Sequence, residues 1–120
     1  MYKATYGRTV IFVRRATVGD DLRGQRIAKR LTGQAEDNAW GFWPLFADLN
    51  SHVVKSKGLP FDPLTLDSVT DERLQAAYDA FLTLDKGLKD QWQQAVTLAD
   101  KPADGDMSIE ALPDDADPNL

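Results

Sequence analysis

The only histidine of this chain, His52, is the first residue to consider for catalysis or metal binding. A general base, a nucleophile or a metal ligand needs partner side chains at defined geometry. Asp48 stands four residues before His52, a spacing that brings two side chains together on one helix face. Zinc prefers several His or Cys ligands, and the chain has no Cys. We therefore interpret Asp48 and His52 as an ordinary helix-surface pair.

The carboxylate pairs and the glycines offer no stronger chemical motif. Asp20-Asp21 and Asp71-Glu72 stand at predicted helix starts, where helix capping accounts for them. The acidic residues at 104–110 fail the spacing of an EF-hand calcium loop. The glycines are too dispersed for a phosphate-binding loop, and no serine has the flanking glycines of a hydrolase nucleophile. The sequence therefore predicts a protein that is not an enzyme and that binds no cofactor or metal.

Arg23, Arg26 and Arg30 are the best candidates for an electrostatic contact, since their spacing places them on one side of a predicted helix. Residues 1–32 hold eight Lys or Arg and two Asp, a balance of +6, and the remaining residues have a balance of −11, which recovers the net charge of −5. Such a face contacts phosphates or an acidic protein. Alternatively, it is solvated and neutralised by the acidic half of the chain. Nucleic acid is the less favoured partner, because a nucleic-acid-binding protein normally lacks a larger acidic excess nearby.

Trp40, Phe42 and Trp43 crowd into four positions of the chain. Core packing accounts for one or two of these aromatic side chains, but three are too many for a core this small. An aromatic side chain left at the surface anchors a partner helix or strand. We therefore predict that these three aromatic residues, together with the three arginines, form the partner-binding site.

The elements that position these residues begin with a hairpin. Residues 2–6 and 9–15 are rich in β-branched and aromatic types, with Gly7-Arg8 as the turn between them. A two-stranded ribbon is only marginally stable, so it must pack on the helices or pair with another chain. Its exposed edge is a template for a partner strand.

Four helices are predicted after the hairpin. The first is capped by Thr17 and runs to about Leu31, with Leu22, Ile27 and Leu31 on its apolar side. The second runs from Pro44 to about Ser56, because its apolar residues keep helical spacing as far as Val53. The third begins near Ser68 or Thr70, and the fourth begins at Asp85 and pairs with the third as an antiparallel hairpin.

The last twenty residues are rich in Pro, Asp and Glu and poor in large apolar side chains. Such a segment cannot bury enough surface to offset its ordering entropy, so we predict that it is disordered. The predicted fold is mainly α, with an N-terminal β-hairpin and a bundle of about four helices in residues 1–100. Residues 101–120 form an acidic flexible tail.

The compartment follows from what the sequence lacks. No segment approaches the ~18 apolar residues that a membrane span requires. The apolar run at 10–13 is too short for a secretory signal, and its charges follow it instead of preceding it. We therefore expect a cytoplasmic protein with no membrane contact.

The basic run 14–18 leads from the hairpin into a charged helix, residues 43–49 read Trp-Pro-Leu-Phe-Ala-Asp-Leu, and a later helix from Leu88 to Val96 carries Trp92. Over roughly residues 9–100 this order of features resembles the tail-assembly chaperones of long-tailed phages. The resemblance implies a non-enzymatic protein, found in the host cytoplasm, that coats the long helical tape measure protein. The chaperone keeps the tape measure protein soluble until tail tube subunits polymerise around it, and a frameshift-extended form recruits tail tube protein.

Two other functions remain open at this point. One is an acidic phage-encoded inhibitor that occupies the nucleic-acid-binding surface of a host protein, motivated by the balance of −11 after residue 32. The other is a small nucleic-acid-binding protein that uses its basic first helix. Self-association of the domain also stays open.

Overall fold

The computed structural model describes residues 1–34, 43–101 and 109–112, and the side chains of residues 32–34 and of Trp43 lie outside this description. Its elements, in chain order, are β1 (Tyr2–Tyr6), β2 (Thr9–Val13), α1 (Val18–Gln34), α2 (Trp43–Ser51), β3 (Val53–Lys57), α3 (Asp71–Leu82), α4 (Lys86–Asp100) and β4 (Ile109–Ala111). The four strands form one antiparallel sheet in the order β3-β2-β1-β4.

The prediction of a mainly α fold is wrong, because a four-stranded sheet stands beside the helices and the fold is mixed. The hairpin itself is confirmed. Tyr6 pairs with Thr9 across a two-residue turn, and Gly7 adopts φ 59, a conformation that this kind of turn requires. What the sequence analysis missed is that both edges of the hairpin acquire a further strand.

The second predicted helix is too long. α2 ends at Ser51, and Val53–Lys57 forms β3, which pairs with β2. Val53 is buried opposite Val13 of β2, so it belongs to the core as a strand residue. Leu49 and Val53 have helical spacing, but they belong to α2 and β3, which bury both side chains in the same core.

The C-terminal strand β4 corrects the prediction of a disordered tail at Ile109–Ala111. Ile109 is buried and pairs with Ala4 of β1. The strand is followed by a hydrogen bond of 2.7 Å from the Leu112 amide to the Met1 carbonyl oxygen. The sheet therefore joins the two ends of the described chain, whereas residues 102–108 and 113–120 lie outside the described residues.

The helices cover one face of the sheet, and α4 packs directly on β1 and β2. Phe46 of α2 lies in the centre of the core, with ring contacts to α3 and to the loop before it. α3 and α4 meet where the rings of Phe81 and Trp92 stand 6.0 Å apart, but the close neighbours of α4 are sheet strands, so the predicted helical hairpin does not describe its packing.

Two predicted helix starts are confirmed. The Asp20 amide donates to Thr17 Oγ1 at 3.2 Å, and the Thr17 amide donates to Asp20 Oδ2 at 3.0 Å, which is a capping box. Thr70 caps α3 by accepting a hydrogen bond from the Arg73 amide. One predicted core residue of α1 is not buried, since Leu22 is 47% exposed.

Candidate functional site

The basic face of α1 forms hydrogen bonds within the chain. Arg23 Nη2 donates to the carbonyl oxygens of Asn50 and Ser51, at 2.9 and 3.1 Å. These are the last two residues of α2. Because the carbonyl groups at a helix C-terminus lack helical partners, Arg23 acts as a C-cap for α2.

Arg30 and Arg26 hold the start of α3 against α1. Arg30 Nη2 donates to the Val69 carbonyl oxygen and to Asp71 Oδ1, both at 2.6 Å. Arg26 Nη2 lies 3.1 Å from Asp67 Oδ2, in an ion pair that is largely exposed. The acidic half of the chain thus neutralises much of this face. That Arg23, Arg26 and Arg30 bind a partner stays a prediction.

His52 lies between the C-terminal ends of α2 and α4 and is 3% exposed. Its Nδ1 is 2.7 Å from the Asp48 carbonyl oxygen, and its Nε2 is 2.9 Å from Asp100 Oδ1. A carbonyl oxygen can only accept, so Nδ1 carries a proton, and the carboxylate favours a second proton on Nε2. The predicted contact between Asp48 and His52 is present, with His52 Nδ1 3.8 Å from Asp48 Oδ1, but the imidazole is buried and is also bonded to Asp100 at the end of α4.

The pKa values of this cluster follow from its contacts. Burial acts most strongly on His52 and lowers its pKa, but the hydrogen bonds to Asp48 and Asp100 and the charges of both carboxylates outweigh burial and raise the pKa above its ordinary value. For Asp48, burial raises the pKa of the carboxyl group, although the His52 charge opposes it. The protonated form of His52 is thus the form that the fold stabilises.

Ser51, His52 and Asp100 contain the residue types of a hydrolase triad, but their hydrogen bonds exclude that chemistry. Ser51 Oγ stands 3.3 Å from His52 Nδ1 and donates instead to the Asp48 carbonyl oxygen at 2.7 Å. Since Nδ1 also donates to that oxygen, it cannot accept the hydroxyl proton as a general base must. Ser51 is buried as well. The cluster fastens helices together and does not activate a nucleophile.

The predicted aromatic site lies at the boundary of the described residues. Trp40 and Phe42 fall outside them, and Trp43 is described only as the first residue of α2. The prediction that these aromatic residues bind a partner therefore stays a prediction.

A groove beside β3 is the concave surface that the sequence analysis missed. We call it the β3 groove. It has a volume of about 460 Å³ and is lined by Lys55, Ser56, Gly58, Leu59, Pro60, Phe61, Asp62 and Leu64. The strand forms one wall, and the loop that follows the strand forms the other. The sequence signal was the β-branched pair Val53-Val54, in a short run that ends at the turn residue Gly58.

The backbone of β3 has an unpaired outer edge among the described residues, because β2 is its one neighbour in the sheet order. The direction of its amides follows from two contacts. Tyr6 and Thr9 flank the hairpin turn and pair with each other, so Thr9 bonds towards β1. At the other end of β2, the Arg14 amide donates to the His52 carbonyl oxygen at 3.0 Å, on the side of β3. In an antiparallel ladder alternate residues bond to alternate sides. Lys55 and Lys57 therefore bond towards β2, and the amide and carbonyl groups of Ser56 point outwards.

Two other concave regions lie away from the sheet edge. One, of about 480 Å³, lies on α4 and is lined by Asp90, Gln93, Gln94, Thr97 and Leu98. The other, of about 220 Å³, lies between α1 and α2 beside Asp48. Neither adjoins an unpaired strand edge, so the β3 groove is the stronger candidate for a binding site.

In the part of the chain that the structure describes, no group of three or more His, Asp or Glu side chains could hold a metal ion. Within the same part, every helix is too short or too polar to cross a membrane.

No family model, curated protein or solved structure matches this chain.

Proposed function

We propose that this protein is a tail-assembly chaperone of a long-tailed phage, which binds the tape measure protein and helps to recruit tail tube subunits. The pattern of residues 9–100 motivates the identity of the partners. The geometry supports the more general part of the proposal, a protein that works by binding other proteins. The observation that carries it is the unpaired edge of β3 with the β3 groove beside it.

The buried polar groups support a role without catalysis. The side chains that could do chemistry, His52 and Ser51, are bonded to α2 and α4 and are buried. Arg23 and Arg30 are committed to the ends of α2 and α3 in the same way. The polar network of the protein thus stabilises the fold, and its accessible features are surfaces for partners.

An exposed apolar pair on α1 suits a helical partner. Val18 and Leu22 stand four residues apart, and both are exposed, at 78% and 47%. Residues at this spacing share one helix face. A long helical protein with apolar stripes could pack against this face and so be shielded from water and from aggregation.

Co-expression with the long helical protein encoded beside this gene tests the proposal. We expect that protein to become soluble and to copurify with the chaperone. Leu22→Glu should reduce the copurified amount, whereas Gln94→Glu, the same introduced charge at an exposed position of α4, should not. An insoluble helical protein, or copurification that is unaffected by Leu22→Glu, would contradict the proposal at this surface.

A nucleic-acid-binding protein would use the arginines of α1 to contact phosphates. Arg23 and Arg30 instead form hydrogen bonds within the chain, which weakens this alternative. We expect no binding to a fluorescent DNA duplex even at low salt. Binding at low salt that weakens steeply as salt is raised would instead support a nucleic-acid-binding protein.

A further inference from the structure

We propose that the outer edge of β3 receives an extended acidic segment of a partner protein as a fifth strand of the sheet. The side chains of this segment alternate between the β3 groove and a row of lysines on the opposite face. This inference rests on the proposed function, since it names the chemistry by which a partner is bound.

The first support is the backbone at Ser56. Its amide and carbonyl groups point away from β2, as the direction of the neighbouring hydrogen bonds requires. An extended peptide placed along this edge could both donate to and accept from Ser56. Backbone hydrogen bonds of this kind supply affinity without depending on the sequence of the peptide.

The second support is the division of side chains between the two faces of β3. Ser56 pairs with Ile11, which faces the core, and the apolar loop residues Leu59 and Phe61 pack on that same side. Lys55 pairs with Phe12 on the opposite face, although it also borders the β3 groove. Because side chains alternate along a strand, every second residue of an added strand would enter the β3 groove and the others would meet the lysine face.

The third support is charge. Lys3, Lys55 and Phe12 stand in one cross-strand row, and Lys57 lies two residues along β3 from Lys55. Lys3 pairs with Glu110 at 3.8 Å, while Lys55 and Lys57 form no ion pair with a carboxylate of the described residues. This cationic face belongs to a chain whose net charge is −5. Acidic side chains on the partner strand would complement it.

The same lysines argue against a second copy of this chain as the occupant. Two β3 strands paired edge to edge would bring Lys55 and Lys57 of both copies onto adjacent strands. Like charges directly opposite in a sheet are destabilising. A partner segment that alternates acidic and apolar residues would place apolar side chains in the β3 groove and acidic side chains beside the lysines. A second copy of β3 would do neither.

The test uses the full chain and a short labelled peptide of alternating Asp and Val, of about six residues to match a typical strand. We expect it to bind, measured by fluorescence anisotropy. The same peptide with alternate backbone amides methylated should bind about tenfold more weakly or worse, because it cannot pair with Ser56. A peptide of alternating Lys and Val should also bind at least about tenfold more weakly.

Variants of the protein test the same surface. Ser56→Pro removes the outward amide and leaves the hydrogen bonds to β2 intact, so the variant should fold and lose peptide binding. Lys55→Glu with Lys57→Glu should weaken binding, whereas Lys29→Glu with Lys86→Glu, the same charge change elsewhere, should not. Should Ser56→Pro fail to fold, the methylated peptide on the unaltered protein decides the question.

The inference is overturned if the methylated or the lysine peptide binds as well as the acidic one. It is also overturned if Ser56→Pro converts a dimer to a monomer in the absence of peptide, since the occupant is then a second copy. Failure of the acidic peptide with successful copurification of the tape measure protein leaves the proposed function standing. Peptide binding that requires Ser56, without copurification, supports the β3 site and contradicts the chaperone role.

Discussion

His52 and Asp100 join the C-terminal ends of two helices that are far apart in the sequence, with His52 Nε2 2.9 Å from Asp100 Oδ1. The other ring nitrogen of His52 bonds the Asp48 carbonyl oxygen in the last turn of α2. Helix C-termini carry partial negative charge, so a cation placed between two of them is stabilised by both. The imidazolium of His52 therefore connects α2 to α4, which is the helix that packs on the sheet.

This connection predicts a stability that falls as the pH rises. Because the pKa of His52 in the folded protein lies above its ordinary value of 6.5, the folded state binds this proton more tightly than the unfolded chain. The stabilisation is complete below about pH 6.5 and is lost as the pH rises through the folded-state pKa. Urea unfolding measured at intervals between pH 6 and pH 9 should show the decline.

Two variants identify the group responsible for that decline. His52→Gln should flatten the dependence in this window, and Asp100→Asn should reduce it by removing the charge that favours the imidazolium. Asp90→Asn, an exposed residue on the same helix whose partner is Lys86, should leave it unchanged. A slope that survives His52→Gln would assign the effect to another group.

Arg23 should contribute more to stability than the neighbouring Arg26. Arg23→Met removes a charged donor from two carbonyl oxygens at the end of α2, which should cost about 1.5–3 kcal/mol of unfolding free energy. Arg26→Met breaks an exposed ion pair with Asp67 and should cost less than about 1 kcal/mol. Chemical denaturation of both variants measures the difference. Equal costs would mean that the cap on α2 adds nothing beyond a surface ion pair.

The sequence predicted the local features well, and β3 and β4 show why the rest of the fold escaped it. The hairpin turn and the caps at Thr17 and Thr70 are each decided by a few adjacent residues. By contrast, β3 exists because it pairs with β2, which lies about forty residues or more earlier in the chain. β4 spans only Ile109–Ala111, too short to show an alternating pattern, and its partner is β1. Pairing across such separations leaves no local periodicity.

The site was predicted less well for a related reason. Helical spacing correctly placed Arg23, Arg26 and Arg30 on one side of α1, but spacing does not reveal what faces them. The structure places the carbonyl end of α2 and the start of α3 there. The β3 groove depends on the strand that was missed, so no reasoning from the predicted helix could have located it.

Gly58 should tolerate substitution less well than Gly7, although both have positive φ. A Cβ at Gly58 would stand 2.9 Å from the Arg8 carbonyl oxygen and 3.1 Å from Thr9 Cα, both backbone atoms, whereas a Cβ at Gly7 meets nothing within 4 Å. Gly7→Ala should therefore cost roughly 1–2 kcal/mol from the left-handed conformation alone. Gly58→Ala should cost more than Gly7→Ala in thermal or urea unfolding. A smaller cost at Gly58 would show that β3 and the turn before β2 separate easily.

Phe46 should be the most sensitive aromatic residue of the core. Its ring makes edge contacts with Phe61, Tyr78 and Phe81 at 5.7, 5.4 and 5.2 Å. Phe46→Leu keeps an apolar side chain and removes three ring pairs, which should lower the unfolding free energy by about 1.5–4 kcal/mol. Leu22→Ala, at an exposed position, should change it by less than about 0.5 kcal/mol. Comparable losses in the two variants would contradict this description of the core.

Trp43 tests the predicted aromatic anchor, which the structure leaves open. Trp43 is the first residue of α2, next to Pro44, whose side chain is exposed. If the aromatic residues before α2 anchor a partner, Trp43→Ala should weaken binding of that partner by about 2 kcal/mol or more, with little loss of folding stability. Pro44→Ala provides the control, because it changes the adjacent position without removing an aromatic ring. A Trp43→Ala variant that unfolds would instead place this side chain in the core, where it cannot serve as an anchor.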